Sequence, residues 1–371
     1  MTGLRIDATA TLLQNGKVLI AGGSPEGCDL AGCQALATAE LYDPATGKFT
    51  PTGSMAWARL GASATLLPDG RVLVAGGYGC LVRKCRDDHT NNDLTATAEV
   101  YDPATGRFTL TGSMSTPRCW ATGTLLADGR VLMLNGSSQL AETYDSSTGK
   151  FTKIGSLRNG YNGNDAIDLA CPGTATATLL PNGKVLVVGQ DSNDAAAELF
   201  DPASGKSAPV SLALPKDPAA KQDFYQEPQT ASLLKDGRVL VFVWNSFGMY
   251  DYSDPPYSES DLLITYDPAT NSFSQPTWIK SPARWAIPKA VSLQDGSVLL
   301  TGGELGPDPS QDNYYATATA GIYDPVTGFH LISSMTHERS GQTVTVLADG
   351  SVLIAGGMGE NTGSSAELFK P

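Results

Sequence analysis

Arginine and tryptophan carry the most suggestive chemistry in this 371-residue chain. Arg5, Arg59, Arg118 and Arg339 each stand eleven residues before a glycine (Gly16, Gly70, Gly129 and Gly350), and Arg284 stands twelve before Gly296. A guanidinium held at a fixed place can clamp a carboxylate or sulfate with two parallel hydrogen bonds. Trp57, Trp120 and Trp285 lie within two residues of Arg59, Arg118 and Arg284. An aromatic plate beside a fixed cation suits an acidic or polyhydroxylated ligand. Both residue types also have a structural use. An arginine can hydrogen-bond loop carbonyls and nearby acidic groups, and a tryptophan can wedge between packed layers.

Other chemistry is sparse. The chain has three histidines, His89, His330 and His337, far apart in sequence, so no Ser-His-Asp set is suggested. Ser204-Gly205-Lys206-Ser207 resembles the end of a phosphate-binding loop, but Phe200 stands where the first glycine belongs. Asp191, Asn193 and Asp194 lack the distal glutamate of an EF-hand. Asp165, Asp168 and Glu227 could act as paired carboxylates on a sugar. No catalytic residue, metal site or cofactor is assigned. Cys28 and Cys33 share a C-x4-C spacing with Cys80 and Cys85, which reads as two local disulfides and hence an oxidising compartment. Cys119 and Cys171 either pair or remain buried thiols.

The elements that must position these residues are repeated. Two apolar runs joined by Asn-Gly or Asp-Gly recur seven times, with turn glycines Gly16, Gly70, Gly129, Gly183, Gly237, Gly296 and Gly350 spaced 54 or 59 residues apart. Such a turn between apolar runs is a strong hairpin signal. Each unit continues into a strand ending in Tyr-Asp-Pro or a variant, such as Val100-Tyr101-Asp102-Pro103, then a further strand. Four antiparallel strands per repeat of about 50 residues is the period of a propeller blade. A lone blade buries too little surface, so the seven must stack around an axis. We label the strands A to D from the inside out. The chain is therefore expected to be one all-β domain, a seven-bladed propeller with blades near 5–54, 55–113, 114–156, 170–211, 226–277, 283–335 and 337–371. The last blade is incomplete unless Met1–Leu4 supplies its D strand, which suggests a domain cut from a longer protein.

The sequence resembles the kelch family. The likeness rests on the glycine pairs Gly22-Gly23, Gly76-Gly77, Gly302-Gly303 and Gly356-Gly357, on the Tyr-Asp-Pro turns and on Arg5, Arg59, Arg118 and Arg339, each eleven residues before its turn glycine. It implies the propeller fold but little about function, because kelch propellers include enzymes, protein-binding modules and glycan-binding proteins. Galactose oxidase and glyoxal oxidase are kelch-like, yet their copper site needs two histidines, and none here follows a tyrosine; copper-radical oxidation is not expected.

Long B–C and D–A connections share one face, where loops on a rigid scaffold usually carry function. The predicted ligand-binding set is Trp57, Arg59, Arg118, Trp120, Arg284, Trp285 and Arg339, with Trp244 and Tyr314 reaching over from B–C loops. A net charge of −13 argues against nucleic acid and anionic membranes as partners. No transmembrane run occurs, so membrane insertion is not expected. The expected protein is an extracellular or cell-surface monomer that recognises a glycan or an extended peptide without catalysis. The alternatives are a secreted carbohydrate-active hydrolase or lyase and a structural scaffold within a larger surface protein.

Overall fold

In the computed structural model, residues 1–25, 34–79, 93–136, 138–159, 175–191, 194–214, 224–247, 260–280, 285–305, 315–359, 362 and 364–371 are described. They form a β-propeller of seven antiparallel blades, with no helix among the described residues. Blade 1 sets the pattern: strand A Thr9–Leu12, B Val18–Ala21, C Ala39–Asp43 and D Lys48–Pro51, hydrogen-bonded in that order. Blades 2, 3, 4 and 6 repeat it with A strands Ser63–Leu66, Thr122–Leu125, Ala175–Leu179 and Lys289–Ser292. Blade 5 starts from the longer Phe224–Leu233 and splits its outer strand into Ser272–Phe273 and Thr277–Lys280.

The B strands explain the stacking. Val18-Leu19-Ile20-Ala21 is buried along its whole length, as are its counterparts Val72–Ala75, Val131–Leu134, Val298–Thr301 and Val352–Ala355. Successive side chains point to opposite sheet faces, so a continuous apolar run feeds two interfaces at once. Val18 and Ile20 pack on blade 7 with Leu347 and Leu353, while Leu19 and Ala21 pack on blade 2 with Val72 and Val74. Seven apolar clusters result, one between each pair of neighbours including blades 7 and 1. The ring is closed.

Blade 7 has three strands among the described residues: Thr343–Val346, Val352–Ala355 and Ala366–Phe369. Met1–Leu4 does not replace the fourth. The Met1 amino group donates to the Ser364 carbonyl at 2.8 Å and the Thr2 N–H donates to Glu40 at 2.7 Å, without forming a strand.

A buried ion pair fixes four of the blades. Arg5, Arg59, Arg118 and Arg339 each reach the backbone carbonyl seventeen residues on, of Gly22, Gly76, Asn135 and Gly356, at the end of strand B. Each also meets a strand C glutamate: Glu40 at 2.9 Å, Glu99 at 3.1 Å, Glu142 at 2.9 Å and Glu367 at 3.0 Å. The glutamate in turn accepts backbone N–H groups of the incoming D–A link, as Glu99 does from Ala56 and Trp57. One carboxylate thereby ties three segments of a blade. Next to it the glycine pair fastens the neighbour. The Gly77 N–H donates to the Arg118 carbonyl at 2.7 Å, and a Cβ on Gly76 would stand 2.5 Å from that same oxygen.

These arginines were expected at a ligand funnel. They are instead buried, with their guanidinium groups engaged inside their own blades. In blade 6 the equivalent place belongs to Trp285, eleven residues before Gly296. Its indole N–H donates to the Gly302 carbonyl, again seventeen residues on, and its ring is 0% exposed. Gly321 stands where the glutamate would, and Phe242 and Phe329 close on the ring.

Leaving one charge of such a pair buried and unpaired costs about 3–5 kcal/mol. Glu99→Ala should therefore lower unfolding free energy by about that amount, whereas Arg107→Ala, on an exposed strand D position, should change it by under about 0.5 kcal/mol. Urea denaturation of the two variants beside the parent checks this.

Candidate functional site

Two residues beyond each buried arginine or Trp285 the backbone turns left-handed. The positions are Asp7 (φ 52°), Gly61 (φ 60°), Trp120 (φ 53°), Ile287 (φ 44°) and Gly341 (φ 67°). Backbone hydrogen bonds link consecutive members. The Asp7 N–H donates to Gly341 at 2.8 Å, Gly61 to Asp7 at 3.4 Å and Trp120 to Gly61 at 2.8 Å. This chain of bonds runs from blade 7 to blade 3, immediately before the inner strands, and borders the axial mouth on the side of the B–C and D–A connections.

Glycine takes this conformation freely; aspartate, tryptophan and isoleucine do so at a cost, and isoleucine is an outlier there. Such strain persists where the surroundings over-determine it and concentrates at functional sites. Here the inter-blade bonds hold the backbone at Asp7 and Trp120, and each of these two side chains leans over the neighbouring glycine. A Cβ on Gly61 would lie 2.9 Å from the Trp120 ring, and a Cβ on Gly341 would lie 2.9 Å from Asp7 Oδ1. Gly61 and Gly341 thus leave the room that Trp120 and Asp7 occupy. Both side chains are half-buried.

Loss of solvent raises the Asp7 pKa from its ordinary value to about 6; Lys289 pulls it down and Glu304 pushes it up. Lys289 opens strand A of blade 6, and Glu304 follows that blade's glycine pair. The Ser340 hydroxyl of blade 7 donates to Glu304 at 2.7 Å. Blades 1, 6 and 7 therefore bring two carboxyl groups, an ammonium and a hydroxyl together, with Trp120 on blade 3 along the same ring. A carboxyl that changes charge near pH 6 can donate or accept a hydrogen bond and can transfer a proton.

Of the residues predicted from sequence, Trp120 stands at this mouth. Trp57 is half-buried in a D–A link, its N–H on Glu99. Trp244 lies within strand B of blade 5, in register with Glu227 and packed against the cluster between blades 5 and 6. Arg284 and Tyr314 lie outside the described residues, as do Asp165, Asp168, Cys28, Cys33, Cys80 and Cys85. Cys119 is buried and disulfide-bonded, its partner outside the described residues. Sequence reading missed Asp7, Lys289 and Glu304. A signal existed for Asp7, which fills a repeat position held by glycine in blades 2 and 7.

The propeller resembles a solved fungal alcohol oxidase of the AA5 family, in complex with copper. The two share 18% identity over 99% of this chain and 74% of the oxidase, with a TM-score of 0.70. The likeness is one of fold. No protein-family model matches the sequence. No curated protein matches it either. The described residues do not fit a copper centre. His330 is exposed on the outer strand of blade 6, His337 sits 3.6 Å from Glu367 on the rim, and no group of three potential ligands occurs among them.

The raised pKa of Asp7 has a definite sign. A carboxyl held above its unfolded value favours the protonated folded state, so its contribution to stability falls as pH rises from about 4 to about 6 and then levels. Asp7→Asn tolerates the left-handed backbone and does not titrate. The stability of Asp7→Asn minus that of the parent should rise across this window and stay flat above it, measured by thermal melting from pH 4 to 8. A pH-independent difference would count against the assignment.

Proposed function

We propose that the axial mouth recognises a polyhydroxylated ligand, a glycan in preference to a peptide. The supporting observation is a half-buried Trp120 ring, fixed in a left-handed backbone over Gly61, on the same ring of residues as Asp7. An indole face stacks on the apolar face of a sugar, while Asp7, Lys289 and Glu304 offer acceptors and a donor to its hydroxyls. The kelch-type repeat supplies the scaffold, and the disulfide at Cys119 favours an extracellular setting.

A second reading, hydrolysis or elimination on the bound sugar, is favoured by one observation. Asp7 holds its proton up to about pH 6 beside Glu304, so an acid and a second carboxyl group share one mouth. The glycan reading and the catalytic one share the site and differ in outcome.

A glycan array followed by tryptophan-fluorescence titration identifies and measures the ligand. Trp120→Gly removes the ring and keeps the backbone conformation. Truncating a buried aromatic anchor costs about 2 kcal/mol or more, so binding should weaken roughly thirty-fold. Trp285→Ala should instead destabilise the fold by about 3–5 kcal/mol. Release of reducing or unsaturated sugar that vanishes in Asp7→Asn would favour catalysis. Unchanged affinity in Trp120→Gly would overturn the placement at the mouth.

A further inference from the structure

The face of the A–B turns lies on the far side of the disc from the axial mouth. Outside blade 6, every strand A ends on this face in an aliphatic residue beside the axis: Leu12, Leu66, Leu125, Leu179, Leu233 and Val346. Leu125 and Leu233 are each 37% exposed, and the other four are half-buried. Blade 6 breaks this aliphatic ring. Ser292 stands in the equivalent place, its hydroxyl donating to the Leu233 carbonyl at 2.6 Å. A cleft of about 460 Å³ opens beside it, lined by Pro181, Leu233, Lys235, Ser292, Leu293 and Gln294. The turns around the ring pack on one another. A Cβ on Gly237 would stand 3.2 Å from Pro181 of the preceding blade, and one on Gly296 would stand 3.1 Å from Lys235.

The charges of the A–B turns divide the face. In blades 2, 3 and 5 the turn aspartate is neutralised by the arginine two residues on: Asp69 by Arg71, Asp128 by Arg130 and Asp236 by Arg238, at 2.6–2.7 Å. In blade 1, Asn15 replaces the aspartate and Lys17 pairs with Asp43 at 3.1 Å. Blades 4 and 5 are left with excess positive charge on Lys184 and Lys235. Blades 6 and 7 are left with excess negative charge, because Asp295 and Asp349 have Ser297 and Ser351 where the arginine stands elsewhere. All four of these charged residues are exposed, and none forms an ion pair with another described residue.

We propose that this face binds a second copy of the chain about a two-fold axis that runs between blades 5 and 6, perpendicular to the propeller axis. A two-fold contact needs a patch that complements itself, and this one does so in both shape and charge. The rotation sets blade 5 of one copy over blade 6 of the other, blade 4 over blade 7, blade 3 over blade 1 and blade 2 over its own counterpart. Leu233 then faces the place where Ser292 interrupts the ring, and the remaining aliphatic residues face one another. Lys235 faces Asp295 and Lys184 faces Asp349, each contact occurring twice. The apolar centre supplies affinity, and the charged rim selects this orientation over other rotations of the two discs. A monomer was expected from the sequence; the dimer is inferred from this face, and it leaves both axial mouths pointing outward.

Sedimentation velocity over a range of concentrations tests this in the full chain. The parent protein should show a species of twice the chain mass. Leu233→Asp, at an exposed position, should weaken self-association about tenfold or more. Lys235→Glu and Asp295→Lys should each weaken it about tenfold or more, because each alone sets like charges together twice. An equimolar mixture of these two variants should restore the dimer to the parent's strength. In the mixed dimer the new carboxylate faces the new ammonium, and the unaltered lysine faces the unaltered aspartate. A parent protein that stays monomeric at about 100 µM would overturn the proposal. So would a dimer indifferent to Leu233→Asp, or a mixture of the two charge variants that associates no better than either one alone.

Discussion

The structure depends on a charge pair buried where three segments of a blade meet. A guanidinium taken out of water is tolerated only when its partners are in place, and Arg59 has Glu99, the Thr97 hydroxyl and two carbonyls. Buried ion pairs are weak evidence for net stability, because desolvation offsets much of the attraction. What this pair supplies is geometry: it aligns the end of strand B, the start of strand C and the incoming link. The second residue beyond the arginine, bonded to the neighbouring blade in blades 1, 2 and 3, then turns left-handed beside the axial mouth. Recognition chemistry therefore follows from a structural cross-link two residues away.

Blade 6 shows that the constraint is the position rather than the charge. There Trp285 replaces arginine and Gly321 replaces glutamate, so both members change together and no charge is left unpaired. The indole N–H keeps the contact with the strand B carbonyl, and the Phe329 ring, packed on the indole, fills the space where a side chain at Gly321 would begin. Ile287 still adopts the left-handed conformation two residues later. In blade 4 the glutamate remains as Glu198 and accepts N–H groups from Arg158 and Asn159 and the Ser207 hydroxyl.

The sequence made the propeller legible because its signals are local and repeated. Asp69-Gly70 marks a turn by itself, and seven such turns with buried apolar runs between them determine the stacking. The site was harder to read for two reasons. Arginine near tryptophan looks the same whether it faces a ligand or a glutamate forty residues away, and only the strand register brings Glu99 to Arg59. Asp7, Lys289 and Glu304 come from opposite ends of the chain and meet only because blade 7 closes on blade 1. The spacing did hold one unread clue: Trp285, not Arg284, stands eleven residues before its turn glycine, which makes the tryptophan the framework residue.

The central claim is that the framework residues are sealed and the left-handed ring beside them meets the ligand. Hydroxyl-radical footprinting, read residue by residue by mass spectrometry, tests it in the native protein with and without a bound glycan. The account predicts that Trp120 is labelled and Trp285 is not, and that the glycan protects Trp120 while leaving Leu233, exposed on the face of the A–B turns, unchanged. Labelling of Trp285 at the rate of Trp120, or protection of Leu233 in place of Trp120, would contradict it.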